Sequence, residues 1–398
     1  MDAKTCYCPN RACLQYRIQG QGSHIVHKGF DNGIQRLQCA MCKTTFSIRQ
    51  GTAYLGIRDD TAIFTIAMRA LAEGNSLRGT GRIVDVDKDL IADWLDQAAF
   101  QCMAVTKYFF RNLHITECQL DELWGFVRKK EDNLEPIEKI LAEYGDAWVW
   151  TCFAPIQKLI PVFVVGKRTQ ENAERLLANF ASVTDGTIPF FTSDDLPHYK
   201  GALLQTYGVP EKVERRPGQR GPLRKPHLLP PQELQYAIVI KKREKGHVVS
   251  VETEIVFGDE ATISALLAVS PVSNTINTSY VERENLTIRQ GSRRLTRKVN
   301  AFSKERNWLE KQLWLALAYY HFVLPNLGLR QQLPEPIPTK GERGSPKKWQ
   351  QVTPAMAAGL TNHTWTMEEL LTFRVPPAFV EELQVSGHHP WVKAMHVL

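Results

Sequence analysis

Between residues 59 and 110, apolar positions recur every three or four residues, which is typical of amphipathic helices. Asp59 and Asp60 can cap a first helix, which the Gly74-Asn75 pair ends. A short second helix follows, and then a longer third helix from Asp87 to Phe109. The pattern therefore predicts helix, turn, short helix, turn and helix, the order of a helix-turn-helix module.

Charge leaves the role of this helical region open. Residues 59–110 carry 5 Lys/Arg against 8 Asp/Glu. The third helix has four aspartates and one lysine near its start, namely Asp87, Asp89, Asp93, Asp96 and Lys88. Because acidic helices repel DNA, the third helix either reads DNA despite its charge or serves for packing or dimerisation.

From residue 116 the pattern changes to short apolar runs that are typical of strands. Three strands, a helix, a fourth strand and another helix are predicted, with ranges 119–127, 147–154, 159–166, 169–181, 187–193 and 196–207. Residues 131–145 form a charged insertion, predicted as a loop or short helix. This succession predicts an α/β fold, a mixed sheet with flanking helices.

The second half of the chain alternates folded and Pro-rich stretches. Residues 208–235 are rich in Pro, Gly and Arg and are predicted to be a loop or linker, as are residues 331–348. Predicted strands and helices occupy 236–240, 248–257, 260–268, 305–324 and a short stretch near 367–374. The tail carries Trp349, Trp365 and Trp391 and is expected to dock on the core.

A mixed apolar and charged pattern marks residues 277–304. A helix over 279–302 would place an apolar stripe on one side, made of Val281, Ile288, Leu295, Val299 and Phe302. About a quarter turn away lie Glu282, Asn285, Arg289 and Arg293, while Glu284 projects near the stripe. This face suits a metal beside a phosphate backbone, although an exposed basic helix would give a similar pattern.

The net charge of +7 is unevenly distributed over 398 residues, a length that predicts two or three domains. Lys/Arg outnumber Asp/Glu by 8 to 2 in residues 1–58, by 10 to 4 in 211–245 and by 9 to 4 in 281–311. Such blocks favour nucleic acid as the partner. The absence of a membrane-length apolar run and of a signal-peptide pattern predicts a cytoplasmic protein with no membrane partner.

Five of the eight cysteines lie in the first 42 residues. The spacing Cys8-x4-Cys13-x25-Cys39-x2-Cys42 predicts a zinc ribbon, in which two short turns each supply two thiolates. Three alternatives stay open, since Cys6 could replace Cys8 and His24 or His27 could compete for the metal. The remaining cysteines, Cys102, Cys118 and Cys152, stand among apolar neighbours and are predicted to be core residues.

Three acids occupy positions at which RNase H-like nucleases carry their carboxylates, namely at the ends of the first and fourth strands and on a later helix. The candidates are Asp121, Asp194 and Glu282. Three such carboxylates can hold two divalent ions, and Mg²⁺ (or Mn²⁺) suits them because it prefers oxygen ligands. Strand alternation predicts that Glu122 points away from Asp121 and is a neighbour rather than a ligand.

Five segments together resemble the DDE transposase of the insertion sequence one family. They are Leu120-Asp-Glu-Leu-Trp-Gly-Phe-Val, Gly166-Lys-Arg-Thr, Ser193-Asp-Asp-Leu-Pro-His-Tyr199, Val281-Glu-Arg-Glu-Asn-Leu-Thr-Ile-Arg-Gln290 and Ala301-Phe-Ser-Lys304. The resemblance covers roughly residues 5–325. In that family a zinc ribbon and a helix-turn-helix precede the catalytic part, the order predicted here.

The resemblance implies that Asp121, Asp194 and Glu282 are the catalytic acids and magnesium ligands. Pro197 and Tyr199 follow the second aspartate at the family spacing, which selects Asp194 over Asp195. It also implies that a polar set beyond the acids positions DNA phosphates. This set comprises Asn285, Arg289, Arg293 and Arg297.

The domains predicted are a zinc ribbon (1–58), a helix-turn-helix (59–112), an RNase H-like catalytic domain (113–328, with an insertion at about 210–272) and a basic tether with the tail (329–398). The expected activity is metal-dependent cleavage at mobile-element ends and strand transfer into target DNA. A homodimer or larger assembly on double-stranded DNA is expected, because two ends must be processed together. Two alternatives are a non-transposing RNase H-like endonuclease and a zinc-dependent DNA-binding protein derived from a transposase.

Overall fold

The computed structural model describes residues 2–19, 24–141, 144–212, 226–339 and 344–386. The amino-terminal segment is a three-stranded antiparallel sheet of β1 (Ile25–Asp31), β2 (Ile34–Cys39) and β3 (Thr45–Ser47), preceded by a single 3-10 turn at Ala3–Thr5. Its small core contains Cys6, Leu37 and Phe46. So few apolar side chains give this segment little stability of its own.

Three helices follow, with the boundaries predicted from their caps: α1 (Thr61–Ala72), α2 (Leu77–Val84) and α3 (Lys88–Phe109). Asp60, Ser76 and Asp87 each accept a hydrogen bond from a backbone N–H of the first turn. Half of α3 is buried against other helices, including the later helix α9 (Arg306–Ala318). This burial favours the packing interpretation of α3, and its reading of DNA stays a prediction.

A six-stranded mixed sheet forms the centre of the molecule. Its strands are β4 (Glu117–Val127), β5 (Gly145–Ala154), β6 (Leu159–Gly166), β7 (Phe190–Asp194), β10 (Tyr236–Glu244) and β11 (His247–Phe257), in the order β11-β10-β7-β4-β5-β6. Strands β4, β7 and β10 are parallel, and the other pairings are antiparallel. The short strands β8 (Val209–Pro210) and β9 (Leu228–Leu229) pair beside it. The predicted α/β architecture is thus confirmed.

Helices cover both faces of this sheet. They are α5 (Gln170–Val183), α6 (Pro197–Tyr207), α7 (Glu260–Val269), α8 (Ser279–Gly291) and α9, whereas α4 (Pro136–Leu141) lies in the connection between β4 and β5. Alternation along β4 explains the division of the core, because successive side chains point to opposite faces. Leu120 joins the large cluster with α5 and α6, whereas Leu123 and Val127 join a second cluster with α8 and α9.

The helix predicted over 279–302 is wrong in its second half, since α8 ends at Gly291. Ser292 is extended, and only a 3-10 turn, Arg293–Leu295, follows. The Thr296 hydroxyl donates to the Arg289 carbonyl at 3.1 Å, which satisfies one oxygen of the last turn. A poor helix former at Gly291 combines with this side-chain cap to end the helix. Arg293 therefore does not share a helical face with Glu282.

The carboxy-terminal tail docks on the core, as predicted. A π-helical turn, Tyr319–Val323, extends α9. The hairpin of β12 (Gln331–Ile337) and β13 (Lys347–Gln350) follows, and then α10 (Pro354–Ala357), α11 (Met367–Thr372) and α12 (Pro377–Ser386). Trp365, Met367 and Leu370 are buried in the main core, and Trp391 lies outside the described residues.

Arg374, which follows α11, joins the tail to the amino-terminal segment. Its guanidinium donates to the carbonyls of Gln50 at 3.0 Å and Asp2 at 3.3 Å, and also contacts Ile48 and Thr5. A guanidinium with five donors can hold several carbonyls at once. Among the described helices, none combines the length and apolar character needed to cross a membrane.

Candidate active site and cysteine cluster

Strand register brings two of the predicted acids together. Gln119 of β4 pairs with Thr192 of the parallel strand β7. Two residues further along each strand, Asp121 and Asp194 are level and point to the same face. Asp194 is the last residue of β7, as predicted, but Asp121 lies in the middle of β4 rather than at its end.

The third carboxylate that the structure places beside Asp121 and Asp194 is that of Glu122, whereas the predicted Glu282 lies outside this group. Carboxylate oxygens of Asp121, Glu122 and Asp194 all lie within 4.8 Å of one another, and these three residues are called the acidic cluster below. Glu122 points to the opposite face of β4, as alternation predicts. Its carboxylate nevertheless reaches the cluster, so the expectation that it is only a neighbour is too restrictive.

Asp121 is held by two donors. Asn285 of α8 donates to its Oδ2 at 2.7 Å, and the backbone N–H of Glu122 donates to its Oδ1 at 2.8 Å. Burial raises the pKa of Asp121 to about 7, and the nearby charges of Glu122, Asp194 and Glu282 add to that effect. A cation placed among these oxygens would relieve the same repulsion.

Glu122 is buried between two partners from other elements. Arg168, which follows β6, forms an ion pair with one oxygen, and the Tyr199 hydroxyl of α6 donates to the other at 3.0 Å. Burial raises the pKa of Glu122, helped by Asp194 and opposed by Arg168. Tyr199, the last residue of the segment Ser193–Tyr199 quoted above, is itself fully buried, and it fixes the rotamer of Glu122.

Asp194 offers a free ligand atom. Its Oδ1 is buried and has no hydrogen-bond partner within the described part of the chain. Burial raises the pKa of Asp194, against the opposing effects of Arg168, the Leu196 N–H and Lys241. Asp195, by contrast, is exposed. The geometry therefore supports Asp194 as the site residue, in agreement with the sequence prediction.

Glu282 lies on the first turn of α8, outside the acidic cluster. It forms an ion pair with Lys241 of β10, and the Thr278 hydroxyl donates to it at 2.7 Å. Burial acts to raise the pKa of Glu282, but Lys241 and Thr278 outweigh it and the net shift is downward. Glu284 points inward, as expected, and accepts a bond of 3.1 Å from Tyr320.

The structure assigns different surroundings to the four predicted DNA-binding residues. Asn285 is buried against Asp121. Arg289 is half-buried and donates to the carbonyls of Leu295 at 2.6 Å and Trp124 at 3.0 Å. Arg293 and Arg297 are exposed beyond the end of α8. Phosphate contacts by this set stay a prediction, and the two exposed arginines have the freer side chains.

The four cysteines predicted as ligands converge, and they are called the cysteine cluster below. Sγ of Cys8 lies 3.5 Å from Sγ of Cys42, and Cys13 lies 3.8 Å from Cys39; all four sulfurs are within 4.8 Å of one another. A tetrahedron with Zn–S bonds of about 2.3 Å has edges of roughly 3.8 Å. The spacing of the sulfurs therefore fits a tetrahedral ion.

The alternative ligands lie elsewhere. Cys6 packs in the small core with Leu37 and Phe46, and its thiol contacts the Asp2 carbonyl. Neither His24 nor His27 belongs to the cysteine cluster among the residues that the structure describes. Hydrogen bonding of Cys42 with the hydroxyl and the backbone of Thr44 lowers the pKa of this thiol to about 6, which favours its thiolate.

Sequence reasoning missed two residues of the site, Arg168 and Lys241. Arg168 lies in the quoted Gly166-Lys-Arg-Thr segment, so a signal was present without a role attached to it. Lys241 lies just beyond the predicted strand 236–240, but it continues the alternation of Ala237 and Val239 along β10.

No protein-family model matches the chain, and no curated protein is similar to it at a significant level.

Proposed function

We propose that the protein catalyses metal-dependent phosphoryl transfer on DNA, as a transposase that cleaves mobile-element ends and joins them to target DNA. The observation that carries this proposal is the acidic cluster, in which oxygens of Asp121, Glu122 and Asp194 converge within 4.8 Å on neighbouring parallel strands. The strand order of the central sheet is compatible with an RNase H-like fold. The quoted motifs add the resemblance to the insertion sequence one family.

The residues of the cluster fit a divalent cation. Their donors are carboxylate oxygens, which Mg²⁺ and Mn²⁺ prefer, and one of them, Asp194 Oδ1, is buried without a partner among the described residues. Burial is the main cause of the raised pKa values of Asp121, Glu122 and Asp194, and repulsion from another member of the cluster adds to it at Asp121 and Glu122. Bound there, the metal would supply charge stabilisation for the attacking and leaving oxygens of an in-line displacement.

The chain's own side chains prepare this site. Asp121 and Asp194 would hold the cation, and Asn285 fixes the rotamer of Asp121 by its 2.7 Å bond. The positive charge of Arg168 balances the negative charge of Glu122 through their ion pair. Such supporting residues keep ligands in a productive geometry. A water molecule or a DNA 3′-hydroxyl would be the nucleophile, so no covalent intermediate with the protein is required.

The remaining parts of the proposal concern DNA binding and assembly. The cysteine cluster would hold Zn²⁺ and stabilise a zinc ribbon, and α1 to α3 would form a helix-turn-helix. Double-stranded DNA would be the partner of the basic blocks. A homodimer or larger assembly would bring two element ends together, in the cytoplasm.

A second candidate is a zinc-dependent DNA-binding protein derived from a transposase. The position of Glu282 favours it, because that acid is bound to Lys241 outside the acidic cluster. This candidate and the enzyme differ in one measurable property, since only the enzyme converts DNA to nicked and joined products in the presence of a divalent metal.

The proposal is tested with a plasmid that carries the DNA flanking both sides of the protein's own gene. Full-length protein with Mg²⁺ or Mn²⁺ should yield nicked and strand-transfer products on a denaturing gel. Asp121→Asn and Asp194→Asn should each reduce product by at least 1,000-fold while DNA binding persists. Asp195→Asn is the matched control, because Asp195 is exposed, and it should retain activity.

DNA binding without any metal-dependent product would contradict the enzyme and support the second candidate. Nicking without joining would indicate the endonuclease alternative. Activity that survives in Asp194→Asn would show that the acidic cluster is not the reaction centre.

A further inference from the structure

Lys241 forms an ion pair with Glu282, the third acid of the sequence prediction. Its ammonium binds Glu282 and also donates to the Thr278 hydroxyl at 3.3 Å. Thr278 donates in turn to the same carboxylate oxygen of Glu282, at 2.7 Å. Two donors from different elements thus hold Glu282 outside the acidic cluster.

Register places Lys241 on the same face of the sheet as the two aspartates. Val239 of β10 pairs with Asp194 of β7 in parallel. Lys241 lies two residues beyond Val239, so its side chain points to that same face. Its ammonium is close enough to interact electrostatically with Asp194 as well as with Glu282. Lys241 therefore lies between Asp194, inside the acidic cluster, and Glu282, outside it.

Glu282 lies on the same side of α8 as Asn285, the residue that contacts Asp121. It precedes Asn285 by three residues on α8, and positions three apart share a helical face. Asn285 already contacts Asp121 at 2.7 Å. The side chain of Glu282 is 48 % exposed, so it has room to reorient once its donors release it.

We infer that Lys241 is a positioning residue that holds Glu282 away from the acidic cluster in the DNA-free protein and exchanges it for a DNA phosphate when substrate binds. This inference rests on the proposed function. The exchange replaces one anion by another at the ammonium, and lysine binds carboxylate and phosphate alike as a point charge. Released Glu282 would then join Asp121 and Asp194, so the metal site would be complete only in the presence of DNA.

The neighbouring residue provides a matched control. Lys242 is the next residue of β10 and points to the opposite face of the sheet. It pairs with Glu252, and both side chains are more than half exposed. Lys241→Met and Lys242→Met each remove one positive charge from the same strand, but only the first removes the ion pair that holds Glu282.

The first measurement is the Mn²⁺ dissociation constant of the full-length protein without DNA, obtained by electron paramagnetic resonance titration. Lys241→Met should bind Mn²⁺ at least fivefold more tightly than the wild type, and Lys242→Met should stay within twofold of it. Adding Glu282→Gln to Lys241→Met should abolish the gain. If the gain arose only from removal of a nearby positive charge, it would persist in the double variant.

The second measurement repeats the titration with a saturating 20-base-pair duplex of unrelated sequence. DNA should tighten Mn²⁺ binding at least fivefold more in the wild type than in Lys241→Met, since the variant has already released Glu282. An unchanged dissociation constant in Lys241→Met, a gain that survives Glu282→Gln, or an equal effect of DNA on both proteins would overturn the inference.

Failure of the proposed function gives a different result. In that case Asp194→Asn would bind Mn²⁺ as the wild type does, because the acidic cluster would not be a metal site. The comparison of Asp194→Asn with Lys241→Met therefore separates the two conclusions.

Discussion

Asn285 donates a 2.7 Å hydrogen bond to Oδ2 of Asp121, across 164 positions of sequence. The bond joins helix α8 to the central strand β4 at the acidic cluster. Asn285 is buried, and its side-chain NH2 group binds Asp121. Its side-chain oxygen, Oδ1, has no hydrogen-bond partner within the described chain.

Replacing Asn285 tests how much this hydrogen bond contributes to metal affinity and to turnover. Asn285→Ala should lower the affinity for Mn²⁺ and the turnover by about 10- to 100-fold, because supporting residues of metal ligands have effects of that size. DNA binding should change little. Leu286→Ala is the control, since Leu286 is the next residue of α8 and is exposed. Equal activity of the two variants would contradict the role given to Asn285.

Asp121→Asn should stabilise the protein when no divalent metal is added. The pKa of Asp121 is raised to about 7, mainly by burial, so its ionised form is unfavourable in the folded state. The folded state then retains a proton that the unfolded state releases, and stability falls as pH rises from about 4 to 7. We expect the free energy of unfolding of Asp121→Asn to exceed that of the wild type by about 1–2 kcal/mol at pH 8.

Denaturant unfolding at pH 8 and pH 4.5 measures this difference, which should shrink at the lower pH. Chelators must be left out, because they would also remove an ion from the cysteine cluster. A wild type that is more stable than the variant at pH 8 would show that Asp121 has a structural role instead.

The cysteine cluster predicts a specific metal content. Cys39→Ser combined with Cys42→Ser should lose one equivalent of zinc per chain, measured by inductively coupled plasma mass spectrometry. Cys6→Ser should keep it, because Cys6 packs in the small core and outside the cluster. The central sheet should remain folded in both. Zinc that is retained in the double variant would mean that other ligands bind it.

The burial of His321 leads us to expect that the folded protein loses stability in acid. It is buried, its Nε2 accepts a 3.1 Å bond from the Ile160 N–H, and burial lowers its pKa to about 3 from 6.5. Between these values the unfolded state binds a proton that the folded state does not, so stability falls as pH decreases below about 6.5. Between pH 7 and pH 5 this residue should remove about 2 kcal/mol from the free energy of unfolding.

His321→Gln can retain an acceptor for Ile160 and does not titrate. Its unfolding free energy should therefore be about 2 kcal/mol less sensitive to this pH change than that of the wild type. Parallel pH profiles of the two proteins would rule out His321 as a source of acid sensitivity.

Features that depend on residues close to one another in sequence could be predicted. The cap at Asp60 and the spacing of Cys39 and Cys42 depend on neighbouring residues, and the structure has them as expected. The approach of Asp121 to Asp194 was expected from the layout of RNase H-like nucleases, and the register of β4 with β7 places both side chains on one face.

The missed features depend on partners that are remote in sequence. Glu122 reaches the acidic cluster while it is held by Arg168 and Tyr199, 46 and 77 positions away. Glu282 is bound by Lys241, 41 positions before it on another strand. Periodicity predicts the face of a strand or helix to which a side chain points. Contacts with residues that are remote in sequence decide where its charged group lies.

The contacts of Arg374 set an order of events during synthesis. This guanidinium reaches Asp2 across 372 positions, so residues that are made early are held by one that is made much later. At about 5–20 residues per second, the amino-terminal segment waits roughly 20 to 75 seconds for that contact. For that interval the nascent segment lacks the contacts of Arg374, and early capture of a metal ion by its cysteine ligands would protect it until that residue has been made.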